Sequence, residues 1–427
     1  MTALTNKPFR HKAATVILWL LLALPFVTYS LCVIHYSTNT PIMDDYDAVL
    51  DFTSSFINTQ TPVDKISLLF SQHNEHRIVF DRVVFLGYYY LFREVDFRFF
   101  IIFGNLGWIL TVVMLVVYVR NNFHLPLSRL LPIPYILLSF SHWENMFCAM
   151  AAIQNYWFVF FAVAFLISLS KDNVLMTGVL FPLALFTSGG GIVLYPLGNL
   201  FFLLRKKRQA FWSFFATSTT CMLLYFFNYH KPSIHPGIVE TIVTPFSAAA
   251  YYFSFWGNLW TLPLGGISLL IGLIICSLSF YLAGNQRADR FLRLAICFIA
   301  LVALAITLAR SGFGVQQAMS SKYSLFPLLA LACMYLFMIT PISSSPAARR
   351  TFIMSSALIA VSFWGISVAF FVHNDFFSQM KIARHAGIAA FRNGDTNGLF
   401  YPDKERAGRM LLTADQQHIY HYRGELP

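Results

Sequence analysis

Between Pro41 and Arg82 the chain gathers Asp44, Asp45, Asp47, Asp51, Asp64, Glu75 and Asp81 beside His73, His76, Arg77 and Arg82. In a sequence that is 57% hydrophobic and only 11% charged, that density marks the segment as the chemical end of the molecule. Carboxylates crowded together raise one another's pKa, and a carboxylate so tuned can take a proton as a general base. If the chain after Pro41 is helical, Asp44, Asp47 and Asp51 share a face at i, i+3 and i+7, with Asp45 about 100° away. Asp47 and Asp51 read as a solvated acidic loop. The adjacent Asp44 and Asp45 read as the functional pair.

Three further clusters carry chemistry-bearing types. QHNEHR at 72–77 sets His73, Glu75, His76 and Arg77 together, and Arg82 follows. Imidazole and carboxylate are metal ligands, so Glu75 and His76 can hold a divalent metal; neighbouring His and Glu also commonly pin a loop by hydrogen bonding. SHWEN at 141–145 offers Glu144, and the late loop ARSGFGVQQAMSSKY, 309–323, is closed by Arg310 at one end and by Lys322 and Tyr323 at the other. SGGG at 188–191 allows close backbone approach or positive φ and reads equally as a ligand-facing turn or a tight helix–helix turn. Tyr46, Trp143, Tyr156, Trp157, Trp256 and Trp260 have faces that can stack on a sugar, although interfacial Trp and Tyr are expected in any membrane protein.

These clusters must be held by apolar elements. Mean hydropathy is +0.61 and 45 residues are Phe, which excludes a water-soluble domain. Uncharged runs of about twenty residues, each enough to cross a bilayer as a helix, recur at roughly 14–36, 99–119, 130–150, 154–170, 173–187, 190–204, 211–227, 250–283 (with a break), 291–309, 324–340 and 351–372. The expected fold is therefore an all-α membrane protein of about eleven transmembrane helices. Residues 1–372 form the polytopic domain, with the outer loop 37–98 carrying surface helices, and 373–427 form a short polar tail packed over the outer loops. Thr61-Pro62-Val63-Asp64 has the pattern of a helix start, and the apolar residues after it suit a helix lying on the membrane surface. The first apolar run is long and lacks a small-residue cleavage pattern, so it reads as a retained span.

With the N-terminus inside, half of the 30 basic residues, among them RKKR at 205–208, fall in cytoplasmic segments against only Asp172 and Asp289. The whole positive excess then sits on one face, as positive-inside sorting requires, so the net charge of +11 is a topology signal and calls for no nucleic acid. The six cysteines lie in apolar runs without paired spacing and read as buried hydrophobes. No fixed-period repeat and no Walker, Rossmann or HExxH pattern occurs.

A first span, an outer loop opening with an acidic pair, a surface helix with a His/Glu/Arg cluster, many further spans and late outer-face cations together resemble the GT-C class of membrane glycosyltransferases. That class includes protein O-mannosyltransferases, lipid A aminoarabinose transferases and the bacterial enzymes that glucosylate O-antigen. The match is to the acidic pair, with Asp44 in the position of the catalytic acid, and is architectural over roughly the first hundred residues. This sequence departs from the commonest pattern in having Asp at the second acidic position and a short tail. The resemblance implies inverting transfer of a sugar from a polyprenyl-phosphate donor to a glycan or lipid acceptor, on the periplasmic face of a bacterial inner membrane. The N-terminus would be cytoplasmic and the C-terminus periplasmic. On that expectation Asp44 and Asp45 are catalytic, and Arg77, Arg82, Arg310 and Lys322 hold the donor phosphate. His73, Glu75, His76, Glu144 and Tyr323 would contact substrate.

Two other readings compete. A transporter or flippase of lipid-linked sugars would place ionisable residues inside its spans, whereas the runs at 99–119, 154–170, 173–187, 190–204 and 291–309 contain almost none. A polysaccharide polymerase or ligase would carry its richest loop late, and here the richest loop comes first.

Overall fold

The computed structural model describes residues 7–232, 236–259, 267–285, 288–339 and 346–421, and within them the chain is helical with no strand. Six helices are long and apolar enough to cross a membrane: Thr15–Tyr36, Phe97–Phe123, Ala149–Ser170, Arg290–Phe313, Ser321–Ile339 and Arg350–His373. Val174–Leu185, Gly189–Leu204 and Ser268–Ala283 are shorter apolar helices. This is an all-α fold built for a lipid bilayer.

The expected span at 130–150 is not a single helix. Pro132 and Pro134 confine helix to Pro132–Leu137, and short turns at Phe140–His142 and Trp143–Met146 follow. Irregular backbone at such depth must satisfy its polar groups inside the protein. The Phe140 amide donates to Ser367 Oγ (2.7 Å), the Trp108 indole donates to the Leu137 carbonyl (2.9 Å), and the His142 ring bonds the Tyr156 hydroxyl (2.8 Å). The 250–283 run is likewise divided, into Pro245–Trp256 and Ser268–Ala283.

The helix ends sort the loops into two groups. At one end a single oxygen of Asp172 meets Lys207 (2.9 Å), Arg205 (3.6 Å) and Arg290 (3.8 Å), and Asp289, which caps Arg290–Arg310, accepts from the Tyr118 hydroxyl. The opposite end carries the 37–96 loop, the 188–191 turn, the late loop after Arg310 and the C-terminal tail. Asp96 caps Phe97–Phe123 there by accepting from the Arg98 and Phe99 amides.

The tail folds as two helices, Phe376–Arg392 and Lys404–Gln416, and lies on the first loop. Tyr401 donates to Asp47 (2.7 Å) and Arg406 pairs with it (2.5 Å). Ser54 bonds Gln417 (2.7 Å), the Tyr420 hydroxyl donates to the Asn39 carbonyl (2.6 Å), and the Val95 amide donates to the Ile419 carbonyl (2.8 Å). These ties fix the segment that carries the acidic pair.

Candidate functional site

The acidic pair is divided just before a π-helical turn. Residues Tyr46–Asp51 form a π-helix, whose i→i+5 bonding widens the turn and breaks the i, i+3, i+7 alignment of α geometry. Asp44 is exposed and lines a cavity of about 330 Å³, and among the described residues its carboxylate has no hydrogen-bond or ion-pair partner. Asp47 turns to the tail instead, and Asp51 lines a separate cleft with Ser54, Arg406 and Arg409.

Asp45 is fully buried and lies outside the cavity lining. Its carboxyl accepts from the amides of Met150 (2.8 Å), Ala149 (3.3 Å) and Ile42 (3.2 Å), so it caps the N-terminus of the Ala149–Ser170 span, where the unpaired amides and the helix dipole favour an acid. Burial nevertheless pushes it up to about 6. The expectation that both acids are catalytic is corrected here: Asp44 faces the cavity and Asp45 holds a helix start.

QHNEHR forms a tight two-residue turn. The His73 and His76 backbones exchange hydrogen bonds (2.8 and 2.9 Å), and Asn74 takes the left-handed conformation with φ 49°. Gln72 ties this turn to the His230 backbone, and the hydroxyls of Tyr225 and Tyr229 reach the Glu75 carbonyl. The turn delivers Glu75 and His76 to the cavity, while His73 is buried behind them, its pKa lowered chiefly by burial. His76 Nδ1 accepts from the Gly189 amide (3.0 Å), which places the ring proton on Nε2, 3.4 Å from Glu75 Oε1. The same Glu75 oxygen pairs with Arg310. Among the described residues no three His, Cys, Asp or Glu side chains converge as a metal site, and both ring nitrogens of His76 point at protein groups. Glu75 and His76 therefore form a polar chain ending on Arg310 and do not complete the metal site anticipated for them.

The SGGG turn owes its glycines to close approach, not to positive φ. A Cβ on Gly189 would lie 2.6 Å from His76 Nδ1, and one on Gly190 would lie 2.7 Å from the Phe158 ring. Both glycines line the cavity.

Arg77 and Arg82, expected to hold phosphate, are corrected to structural roles. Arg77 is buried, and its guanidinium donates to the carbonyls of Tyr225, Phe70 and Phe227. Arg82 is also buried, donates to the carbonyls of Leu68 (3.0 Å), Leu69 (3.0 Å) and Ser71 (2.5 Å), and lies 4.6 Å from the Phe52 ring centroid. Those carbonyls end the surface helix Pro62–Leu69, which starts as expected with Thr61 accepting from the Asp64 amide. A cation at a helix C-terminus completes it electrostatically, and neither arginine lines the cavity. The preceding Asp81 is fully buried with neither oxygen partnered among the described residues, and burial raises its pKa well above the carboxylate range.

The other two expected cations do line the cavity. Arg310 comes from the end of its span, and Lys322 from the late loop, with its ammonium 5.3 Å from the Tyr323 ring centroid. Glu144 sits behind them: it accepts from the Lys322 amide (3.1 Å) and the Ser320 hydroxyl (2.5 Å), and its own amide donates to Ser321 (3.0 Å). It positions the Lys322 backbone and is not itself part of the lining. Tyr323 lines the cavity and packs on Phe255. None of the other described aromatic candidates reaches it: Tyr46, Tyr156 and Trp256 are fully buried, Trp143 packs on Phe376, and Trp157 stacks on Phe103. Trp260 lies outside the described residues.

Below this charged rim the cavity wall is apolar. Phe158, Ile192, Val302, Ala305, Ile306 and Phe326 line it from the span helices. Gln154 and Asn155, which read in sequence only as the start of a span, also belong to the lining. They sit on a second π-helical turn, Ile153–Trp157, and π turns recur at functional sites.

No protein-family model, no curated protein and no solved structure matches this chain.

Proposed function

We propose that this chain is an inverting glycosyltransferase that moves a sugar from a polyprenyl phosphate to a hydroxyl on a glycan or lipid acceptor at the cell envelope. The observation that carries the reading is one cavity lined at once by a carboxylate with no partner among the described residues, Asp44, by two cations, Arg310 and Lys322, and by an apolar wall that continues into the span helices. A lipid-linked sugar has the matching order of parts: prenyl chain, phosphate, sugar.

In the proposed reaction Asp44 takes the proton of the acceptor hydroxyl, and the acceptor oxygen bonds to the anomeric carbon. The bond from that carbon to the phosphate oxygen breaks, and polyprenyl phosphate leaves with the electron pair. Arg310 and Lys322 balance the charge gathered on that oxygen. Glu75, held by His76, keeps the Arg310 guanidinium at the rim. The acidic-rich end is assigned to the periplasm of a bacterial inner membrane because the opposite end collects Arg205, Lys207 and Arg290, as positive-inside sorting requires of a cytoplasmic face.

Asp44→Asn in membranes supplied with a labelled polyprenyl-phosphate sugar tests this. Removing a general base lowers transfer by about 10²- to 10⁴-fold, with the protein still folded. Full transfer by a folded Asp44→Asn variant sinks the assignment.

A further inference from the structure

The cavity lining also carries a polar group that no atom of the described residues satisfies. Gln154 is 6% exposed, it lines the cavity, and among the described residues its side-chain nitrogen has no hydrogen-bond partner. A buried amide donor left without an acceptor costs about 1–3 kcal/mol, and because this nitrogen lies just behind the surface of a side chain that lines the cavity, turning the amide outward to an arriving acceptor recovers that cost. The adjacent Asn155 is the complement. Its side-chain nitrogen donates to Asn145 Oδ1 (2.8 Å), and among the described residues its carbonyl oxygen, the atom left to accept, has no partner. Asn145 in turn donates to the Lys322 carbonyl (2.9 Å), so the pair is tied to the loop that carries the phosphate-side cation.

We propose that Gln154 and Asn155 form an uncharged recognition subsite that reads a hydroxyl of the donor's sugar, with Gln154 donating and Asn155 accepting. This rests on the lipid-phosphate-sugar reading above and deepens it, because it assigns the neutral part of the donor to residues other than those that meet the phosphate. The chemistry favours a hydroxyl over a phosphate oxygen: a hydroxyl both accepts and donates, whereas a phosphate only accepts and would face the Asn155 oxygen unfavourably. The widened π turn is what presents two consecutive side chains to one cavity.

The test measures binding of two classes of probe to the full-length protein in nanodiscs. One is bare polyprenyl phosphate, and the other is polyprenyl phosphate bearing glucose, mannose or arabinose. Gln154→Leu should weaken the tightest-binding sugar-bearing lipid by about tenfold to a hundredfold, the range expected for one lost hydrogen bond to a buried group, and leave bare polyprenyl phosphate unchanged. Gln154→Glu keeps the side-chain length, loses the donor and repels both probes alike through the phosphate, so the ratio of the two affinities gives the same contrast should the Leu variant fail to fold. An equal loss for both probes would assign Gln154 to the phosphate, and no change for either in a folded variant would remove the subsite; each outcome overturns the inference alone. If the unaltered protein binds neither probe, the donor reading itself falls and takes this inference with it.

Discussion

The cavity wall and the layer directly behind it are built from the same residue types, often from sequence neighbours, and they behave oppositely. Asp44, Arg310 and Lys322 each present a charged group to open space, whereas Asp45, Arg77 and Arg82 end on backbone amides or carbonyls. Arg384 belongs to the rear layer too: it is buried, donates to the Phe147 carbonyl (2.7 Å), and is lowered to about 10 by burial. What separates the two layers is whether the backbone has already satisfied the charged group. The adjacent acids give the largest contrast. Asp44→Asn should cost about 10²- to 10⁴-fold in transfer with little change in the thermal unfolding midpoint. Asp45→Ala strands buried amides at a span's start and should cost about 3 kcal/mol of stability, read as a lowered midpoint and reduced yield. If Asp45→Ala leaves the midpoint unchanged and abolishes transfer, the division between wall and backing is broken.

The cations sharpen the same division at the next level of effect. Arg310→Ala and Lys322→Ala should each weaken binding of the lipid-linked donor by about tenfold or more, since a charge-assisted hydrogen bond contributes about 1.5–3 kcal/mol. Arg77→Ala should instead strand the Phe70, Tyr225 and Phe227 carbonyls, and Arg82→Ala those of Leu68, Leu69 and Ser71, lowering stability by about 2–3 kcal/mol and leaving donor affinity in the surviving protein unaltered. A titration of donor binding beside a thermal melt for all four variants separates the two groups. Donor affinity lost in a stable Arg82→Ala would move that residue back to the wall.

Much of this could be read from the sequence, and the remainder could not, for a definite reason. Charge is costly beside lipid, so a chain this apolar gathers its charged groups at the ends of its helices, and Asp44, Glu75, His76, Arg310, Lys322 and Tyr323 were identifiable and do share one cavity. Which of the charges the backbone would cover was not identifiable, because two of the three carbonyls that hold Arg77 belong to residues some 150 positions away. Glu144 was recognisable as unusual, but its role depends on meeting Ser320 and Lys322 across a similar separation. Gln154 gave no signal: an amide there reads only as the start of a span, and only the fold shows that its nitrogen is buried and, among the described residues, unpartnered. The 130–150 run is not one continuous helix because hydropathy counts apolar content, whereas its prolines and the bonds to Ser367, Trp108 and Tyr156 decide the backbone path.

Asp47 lies at the boundary of the two layers, and the effect expected there is the smallest. Its carboxylate joins Tyr401 and Arg406 of the tail, but Arg406 is about half exposed, so the ion pair is screened by solvent and contributes less than about 1 kcal/mol. Asp47→Asn removes the charge and keeps an acceptor for the Tyr401 hydroxyl. The unfolding midpoint should therefore fall slightly at low ionic strength, and the difference from the unaltered protein should vanish near 1 M salt, where the screening length is about 3 Å. Transfer should change by less than about twofold, because Asp47 faces the tail and not the cavity. A salt-independent loss of transfer in Asp47→Asn would show that the tail acts on Asp44 through the π turn that follows it, and the wall could then no longer be treated as separate from what backs it.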